Sequence, residues 1–269
     1  MLVYRMAYLN FILIFLSLMF CSCTQNTGNK NLSIDLNSSV SLEMIWVEPG
    51  TFTMGQAGTR EVENNVTITK GFYLGKYEIT QAQYQAVMGS NSNPSHFKNN
   101  LNRPVERVNI PAVVKFIELL NKKEDTNLPK GYQYGLPTDA EWEYACRAGT
   151  NTLFSWGDEI SQNDANWLFG DEANETVDVG SYKPNPWGFY DMHGNVWEWT
   201  ADWYSSLNSN PRTDPFISDG GGKMVVRGGA YSEPAKHCYS AIRGRHNPNQ
   251  PFTNNGFRIA LRQTSNVGE

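Results

Sequence analysis

The chain has 269 residues, which is enough for one large or two modest domains with a substantial buried core. Its formal net charge is −5, and the acidic and basic residues are mixed without a basic face or an acidic tail, so we exclude a nucleic-acid partner. The many Gly, Asn, Pro and aromatic residues predict a loop-rich fold held together by large side chains.

Residues 1–23 have the pattern of an export signal. Arg5 precedes an apolar run over residues 7–20, too short to span a bilayer, and a Cys-Ser-Cys triplet follows at once. This arrangement resembles a bacterial lipoprotein signal. It predicts lipidation at Cys23 and a location in the bacterial cell envelope, at the periplasmic or outer-membrane face. An ordinary secretory signal or an uncleaved anchor remains the alternative.

The next segments set the predicted domain boundaries. Residues 24–41 are rich in Asn, Ser and Thr, and they predict a flexible tether. Apolar and polar residues then alternate over residues 44–55 around a Pro-Gly pair, which predicts a β-hairpin, and two more short strands are expected within residues 66–80. We place one domain at residues 42–263, followed by a tail over residues 264–269.

Two helices are predicted in the first half of the chain. Thr80 opens a Thr-Gln-Ala-Gln capping box, and Gly89 ends that helix. Pro111 fits the first turn of a second helix, which ends near Lys122. Apolar side chains recur along the second helix with helical spacing. They are Val113, Phe116, Ile117 and Leu120.

A third helix begins at Thr138, in the capping box Thr-Asp-Ala-Glu, and places Trp142 and Cys146 on one face. Cys146 is therefore predicted to be a buried small hydrophobe and not a reactive thiol. Whether Cys146 and Cys238 form a disulfide is left open by the sequence. After residue 149 the helical period fades, and the whole pattern favours a single α+β domain.

The segment over residues 187–204 concentrates side-chain oxygens around Gly194. Oxygen donors clustered on irregular backbone suit a hard cation such as calcium. The alternative is a tight turn that caps an aromatic core, in which the carboxylates bind local backbone N–H groups. The donors are Asp191, Asn195, Glu198 and Asp202.

Seven stretches, in order, resemble the sulfatase-modifying-factor domain of formylglycine-generating enzymes and their bacterial relatives. They are MIWVEPGTFTMG, GFYLGKYEITQAQYQAVMG, RPVERVNIPAVVKFIELLN, GLPTDAEWEYACRAG, WGFYDMHGNVWEWTADWY, VVRGGAY and NNGFRIAL. The resemblance implies a compact, calcium-bearing domain with little regular secondary structure, related to the C-type lectin fold.

The resemblance also implies calcium ligands in this chain. Two carboxylates and two backbone carbonyls match the ligand positions of the family, and they belong to Asp191, Glu198, Gly194 and Val196. A second calcium site is implied near Asn166 and Trp167, although the loop that follows is shorter here.

In formylglycine-generating enzymes, two cysteines bind copper(I) as thiolates and oxidise a substrate cysteine with molecular oxygen. Here Glu233 stands in place of the first cysteine, and Ala230 replaces the usual serine. Cys238 matches the second cysteine if one residue is inserted after Tyr231, so it is the candidate catalytic residue, with a structural core cysteine as the alternative. One thiolate beside a carboxylate is a poor copper(I) site.

The sequence is therefore compatible with three functions. The first is oxidation of a cysteine in an exported protein or peptide such as a sulfatase. The second is a non-catalytic lipoprotein that binds a peptide or glycan or scaffolds an envelope assembly, held at the membrane by its lipid anchor. The third is another chemistry on the same scaffold. The sequence has no Ser-His-Asp signature, HExxH motif or phosphate-binding glycine loop, so hydrolase and nucleotide-binding functions have no support.

Overall fold

The structure is a computed structural model that describes residues 30–123, 128–170 and 175–264. The predicted signal peptide, lipidation at Cys23 and the first part of the predicted tether lie outside the described residues, as does the tail after Thr264. Within the described ranges, no helix is long and apolar enough to cross a membrane.

The described part of the chain forms short strands, three α-helices and one 3-10 turn at Ala235–His237. The helices are α1 Gln81–Met88, α2 Ile110–Lys122 and α3 Asp139–Arg147. The strands are β1 Leu32–Asp35, β2 Ser41–Val47, β3 Gly50–Met54, β4 Asn64–Ile68, β5 Phe72–Gly75, β6 Tyr132–Gly135, β7 Trp197–Trp203, β8 Arg212–Thr213, β9 Met224–Arg227, β10 Gly244–His246, β11 Asn255–Gly256 and β12 Ala260–Gln263.

The strands form three small sheets. A five-stranded antiparallel sheet has the order β1-β2-β5-β12-β6, and a four-stranded sheet has the order β10-β9-β7-β11. The third sheet has the order β3-β4-β8. Short elements joined by long loops in a single compact domain confirm the predicted α+β class with little regular secondary structure.

The five-stranded sheet carries an apolar core on each face. Neighbouring residues of a strand point to opposite faces, so Tyr73 and Leu261 pack with α1 and α2, while Leu74 and Ala260 pack with α3. Trp142 of α3 is fully buried in the second core. The helices therefore pack on both faces of this sheet, and the long loops contribute to the candidate site.

The domain begins earlier than predicted. β1 pairs with β2, with Ile34 opposite Leu42, and the side chains of Ile34 and Leu36 are only 2% and 3% exposed. The predicted tether up to residue 41 is therefore wrong for residues 32–41. Four apolar side chains in this polar stretch, those of Leu32, Ile34, Leu36 and Val40, pack on the core, and the free edge of β2 supplies the backbone partners.

The predicted hairpin over residues 44–55 is also wrong. β2 pairs with β1 and β5 in the five-stranded sheet, whereas β3 pairs with β4 in the three-stranded sheet. The chain passes from one sheet to the other at Pro49 and Gly50. A Cβ atom at Gly50 would lie 2.2 Å from the Tyr144 hydroxyl, so α3 occupies the space beside this turn.

The three helix predictions are confirmed. Capping boxes form at Thr80 and Thr138, and α1 ends at Gly89. Asn109 caps α2 by accepting from the N–H of Ala112 at 3.0 Å. Capping depends on residues within one turn of each other, which is why it can be read from sequence.

Candidate functional site

Three residues in the loop before β7 have a left-handed backbone conformation. Asp191, Gly194 and Asn195 have φ values of 56°, 97° and 63°. A Cβ atom at Gly194 would lie 2.2 Å from the backbone oxygen of Asn166, so this position combines left-handed backbone with a close approach. The loop is pinned there, because the Asn195 N–H donates to the Asn166 oxygen at 2.7 Å.

Three buried carboxylates surround one buried guanidinium at this loop. Glu198 accepts from Nε and Nη2 of Arg258, each at 2.6 Å, and also from the indole of Trp142 at 2.8 Å. Asp191 accepts from the N–H of Gly180 at 2.7 Å. Glu78 accepts from the Asn195 amide at 2.6 Å and from the N–H of Val196 at 3.1 Å. These bonds give a buried cluster with more negative than positive groups.

Burial perturbs two of these acids strongly. Loss of solvent, and then repulsion by Asp191 and Glu198, raises the pKa of Glu78 well above its usual value. Burial raises the pKa of Asp191 to about 6. Glu78 is a functional-site residue that was not predicted from the sequence. The sequence feature that could have indicated this residue is an acidic side chain between Tyr77 and Ile79, in a strand-like segment expected to be buried.

The cluster fits calcium by charge and by donor type. A divalent cation would neutralise the excess of buried carboxylate, and the Asp191 carboxylate with the carbonyls of Gly194 and Val196 is a hard-oxygen donor set. Glu198 departs from this set because Arg258 binds both of its oxygens. Among the described residues, no three His, Cys, Asp or Glu side chains are arranged to hold a metal. Calcium here therefore depends on backbone oxygens, and it stays a prediction.

The remaining oxygen donors of this segment bind the protein. Asp202 accepts from the N–H groups of Asp139 at 2.8 Å and Ile217 at 2.9 Å, away from the loop. The Asn195 side-chain oxygen accepts from the N–H of Val177 at 3.0 Å. Both side chains therefore bind backbone N–H groups, but these groups lie 15 to 63 residues away in sequence and are not the local N–H groups of a tight turn.

The predicted second calcium position lies directly against the first loop. Asn166 is buried, and its amide donates to the backbone oxygen of Glu175 at 2.9 Å. The Trp167 indole donates to the Ser161 oxygen at 3.1 Å. Asn166, Trp167 and Glu175 line one open cleft of about 600 Å³. Glu175 supplies a carboxylate that sequence analysis did not single out.

Cys238 is a fully buried thiol. A Cβ atom at Gly229 would lie 2.5 Å from its sulfur, so the glycine turn covers it closely. Burial, and then repulsion by Glu233, raises the pKa of Cys238 far above its usual value. The thiolate, and not the thiol, is the nucleophile and the metal ligand, so the raised pKa disfavours both roles.

The Glu233 carboxylate is already bound by two neighbours. Its Oε1 accepts from the Trp197 indole at 3.2 Å, and its Oε2 lies 2.6 Å from Nδ1 of His237. Copper(I) does not fit this arrangement, which offers one protonated thiol and one hydrogen-bonded carboxylate where two thiolates are needed.

Cys146 does not replace the missing thiolate. It is a free, buried cysteine whose sulfur contacts the backbone oxygen of Met192 and lies 3.6 Å from Nε2 of His193. Burial raises the pKa of Cys146 to about 12. The predicted character of Cys146, a buried thiol without reactivity, agrees with this environment.

Comparison with known proteins gives matches over nearly all of the described chain. The family model for a sulfatase-modifying factor enzyme 1-like domain matches residues 35–263. A chaperone protein LppX of Paenibacillus barcinonensis is 33% identical over 256 residues, which cover 78% of this chain and 89% of that protein. The formylglycine-generating enzyme of Mus musculus is 38% identical over 142 residues, 46% of this chain and only 38% of the enzyme.

Two solved structures resemble the fold over most of their length. Treponema denticola variable protein 1 superposes with a TM-score of 0.77 at 26% identity, covering 87% of this chain and 99% of that chain. PvdO from Pseudomonas aeruginosa superposes with a TM-score of 0.69 at 26% identity, covering 86% of this chain and 97% of that chain.

Proposed function

This chain belongs to the sulfatase-modifying factor enzyme 1-like family, and we propose that it is a member that binds a polypeptide at the cell envelope without oxidising it. The family resemblance found in seven sequence motifs is confirmed over residues 35–263. The observation that carries the proposal is the buried thiol of Cys238, with Glu233 in the predicted place of a second thiolate.

The chemistry of copper(I) argues against the oxidase. Copper(I) is a soft ion that prefers thiolates, whereas a carboxylate is a hard ligand. Deprotonating Cys238 would place a negative charge in a buried site near Glu233. The pKa of the thiol is raised for this reason. The Glu233 carboxylate would also have to leave Trp197 and His237 before it could reach a metal.

A polypeptide is the ligand with the best support. The relative that matches over 89% of its own length bears the name of a chaperone protein. The lipoprotein-like signal before Cys23 supports a lipid anchor, which would hold the domain at the surface of a bacterial membrane. Calcium at the loop of Asp191 would then serve to stabilise the domain and would take no part in chemistry.

Oxidation of a cysteine in an exported sulfatase is the second candidate. The identity of 38% with the mouse formylglycine-generating enzyme over 142 residues favours it, together with the presence of Cys238. That alignment covers less than half of either chain, so the reaction is carried over only as a proposal.

Two assays on the purified full chain separate these functions. In the first, a cysteine-containing sulfatase peptide is incubated with protein, copper, reductant and oxygen, and mass spectrometry follows conversion of the thiol to an aldehyde. We expect no conversion by the wild type. Copper-dependent aldehyde that disappears in Cys238→Ser would establish the oxidase instead.

In the second assay, a chemically unfolded sulfatase is diluted into buffer, and light scattering reports its aggregation. We expect an equimolar amount of this protein to slow aggregation, with bovine serum albumin at the same concentration as the control. Scattering curves that match those of the albumin control would refute polypeptide binding.

A further inference from the structure

A cationic cavity of about 330 Å³ lies beside the Glu233–His237 pair. It is bounded by the loop that carries Arg60, by the 3-10 turn that carries Lys236 and by the residues that follow this turn. Its lining includes Arg60, Lys236 and His237, together with Thr59, Tyr239 and Ile242. No Asp or Glu side chain is among the described residues that line it.

Arg60 is held in place by its neighbours. Its Nε donates to Oε1 of Glu61 at 3.1 Å, and its Nη2 donates to the backbone oxygen of Arg243 at 2.5 Å. The side chain is nevertheless 57% exposed, which leaves Nη1 available to a ligand. A guanidinium fixed by two hydrogen bonds loses little further freedom when it binds a third partner.

The loop that carries Arg60 is itself braced. The Thr59 hydroxyl donates to the backbone oxygen of Gln56 at 2.8 Å and accepts from the N–H of Glu61 at 3.1 Å. Gly58 takes a left-handed φ of 79° at the turn. The cavity wall on this side is therefore formed before any ligand arrives.

The opposite wall is cationic as well. Lys236 makes no ion pair with the described residues, and it precedes His237 in the 3-10 turn. The contact between Nδ1 of His237 and Glu233 fixes the imidazole ring. Two acids lie near these side chains, and both carboxylates already have partners. Glu233 contacts His237, and Glu61 contacts Arg60 at 3.1 Å and Arg243 at 4.0 Å.

We propose that this cavity binds a carboxylate side chain from an acidic segment of the partner polypeptide, and this inference rests on the proposed polypeptide-binding function. Guanidinium and ammonium groups form short charge-assisted hydrogen bonds to carboxylates. Tyr239 and Ile242 add an apolar wall for the methylene groups of a Glu or Asp side chain. The volume is at the lower end for ligand pockets, so it suits one side chain and not a long segment.

The overall charge of the protein makes this preference informative. The chain carries a formal net charge of −5, so its general field disfavours acidic peptides. A preference for an acidic peptide over a neutral one would therefore come from local contacts such as those of Arg60 and Lys236.

The test measures fluorescence anisotropy of two labelled peptides on the purified full chain. One peptide carries three Glu residues in a Gly-Ser background, and the other carries Gln at the same positions. We expect the Glu peptide to bind at least five-fold more tightly. Equal affinity for the two peptides would overturn the proposal.

Variants locate the effect. Arg60→Gln and Lys236→Gln should each reduce the preference for the Glu peptide at least three-fold, whereas Lys130→Gln, an exposed lysine outside the cavity, should leave it unchanged. Thermal unfolding checks that all variants are folded. A preference that survives the double variant Arg60→Gln/Lys236→Gln would place binding elsewhere and refute this site.

Two further outcomes separate this inference from the proposed function. Slowed aggregation of unfolded sulfatase without a Glu preference refutes the cavity and leaves the function standing. A Glu preference without any effect on aggregation supports the cavity and refutes binding of unfolded proteins as the function. Competition by inorganic phosphate as strong as that by free glutarate would show a general anion site and refute the carboxylate assignment.

Discussion

Oε2 of Glu233 lies 2.6 Å from Nδ1 of His237, at the position where the enzymes of this family are expected to hold a copper-binding thiolate. The pair is partly exposed, with 24% and 36% of the two side chains open to solvent. Because both side chains are partly exposed, this contact contributes little to stability, about 1 kcal/mol or less. The contact matters for chemistry, because it occupies an oxygen of the Glu233 carboxylate, which lies near the buried thiol of Cys238.

The first prediction concerns thiol reactivity. The raised pKa values of Cys146 and Cys238, both caused chiefly by burial, predict that neither thiol reacts readily with a disulfide reagent in the native protein at pH 7.5. A spectrophotometric thiol titration of a Cys21→Ala/Cys23→Ala variant should give no fast phase in buffer and two thiols in denaturant. A fast stoichiometric thiol in buffer would contradict the buried position of Cys238.

The second prediction concerns calcium. Binding at the Asp191 loop would offset repulsion among buried carboxylates, and a ligand that binds only the native state raises the unfolding temperature as its concentration increases. We expect the thermal midpoint to be higher in excess calcium than in chelator. Asp191→Asn should abolish most of this difference, whereas Asp219→Asn, at an exposed position, should preserve it. Identical wild-type midpoints in calcium and chelator would refute the site.

The third prediction concerns Glu106, a fully buried acid distant in sequence from the calcium loop. Its Oε1 accepts from the N–H of Phe97 at 2.9 Å and from that of His96, while its Oε2 has no partner among the described residues. Burial raises the pKa of Glu106 from 4.5 to about 6. The folded state therefore holds a proton that the unfolded state releases first.

The sign of the pH dependence follows from that shift. The stabilising contribution of protonated Glu106 is complete below pH 4.5 and is lost as the pH rises through about 6. Glu106→Gln removes this titration, so its stability relative to the wild type should improve by roughly 2 kcal/mol between pH 4 and pH 7.5. Urea unfolding at both pH values measures this difference. A difference that does not change with pH would show that Glu106 has an ordinary pKa in the fold.

The fourth prediction concerns a buried ionic network around α3. Arg227 donates to Asp139 at 2.5 Å and to Glu143 at 2.8 Å, and all three side chains are buried. Arg227→Met would leave two carboxylates with fewer partners, so we expect a loss of about 3 to 5 kcal/mol in the free energy of unfolding. Lys115→Met breaks only the exposed pair with Glu118 and should change that energy by less than about 1 kcal/mol. Similar losses in the two variants would contradict this account.

The local elements of this protein were predictable from sequence because their causes are local. The capping boxes at Thr80 and Thr138 and the apolar stripe of α2 each involve residues within one or two helical turns. The motif around Gly194 likewise carries its own oxygen donors and its own turn. The same motifs, taken in order, were sufficient to identify the family.

Pairing across the chain was decided only by the tertiary structure. The sequence over residues 44–55 is compatible with a hairpin, but β2 pairs with β5 in one sheet and β3 pairs with β4 in another. The contact between Glu78 and Asn195 spans 117 residues, and the one between Glu198 and Arg258 spans 60. Such contacts depend on which faces the core buries, and a local pattern does not encode that.

The sequence by itself determined the helices and the family, and it predicts that Glu233 stands in place of a thiolate. The tertiary structure decided that the Cys238 thiol is buried, which raises its pKa, that Glu233 binds Trp197 and His237, and that Arg60 and Lys236 line one cavity. The physical reason is that burial and long-range charge set protonation and binding. Both depend on segments far apart in the chain and brought together only when the sheets and loops pack.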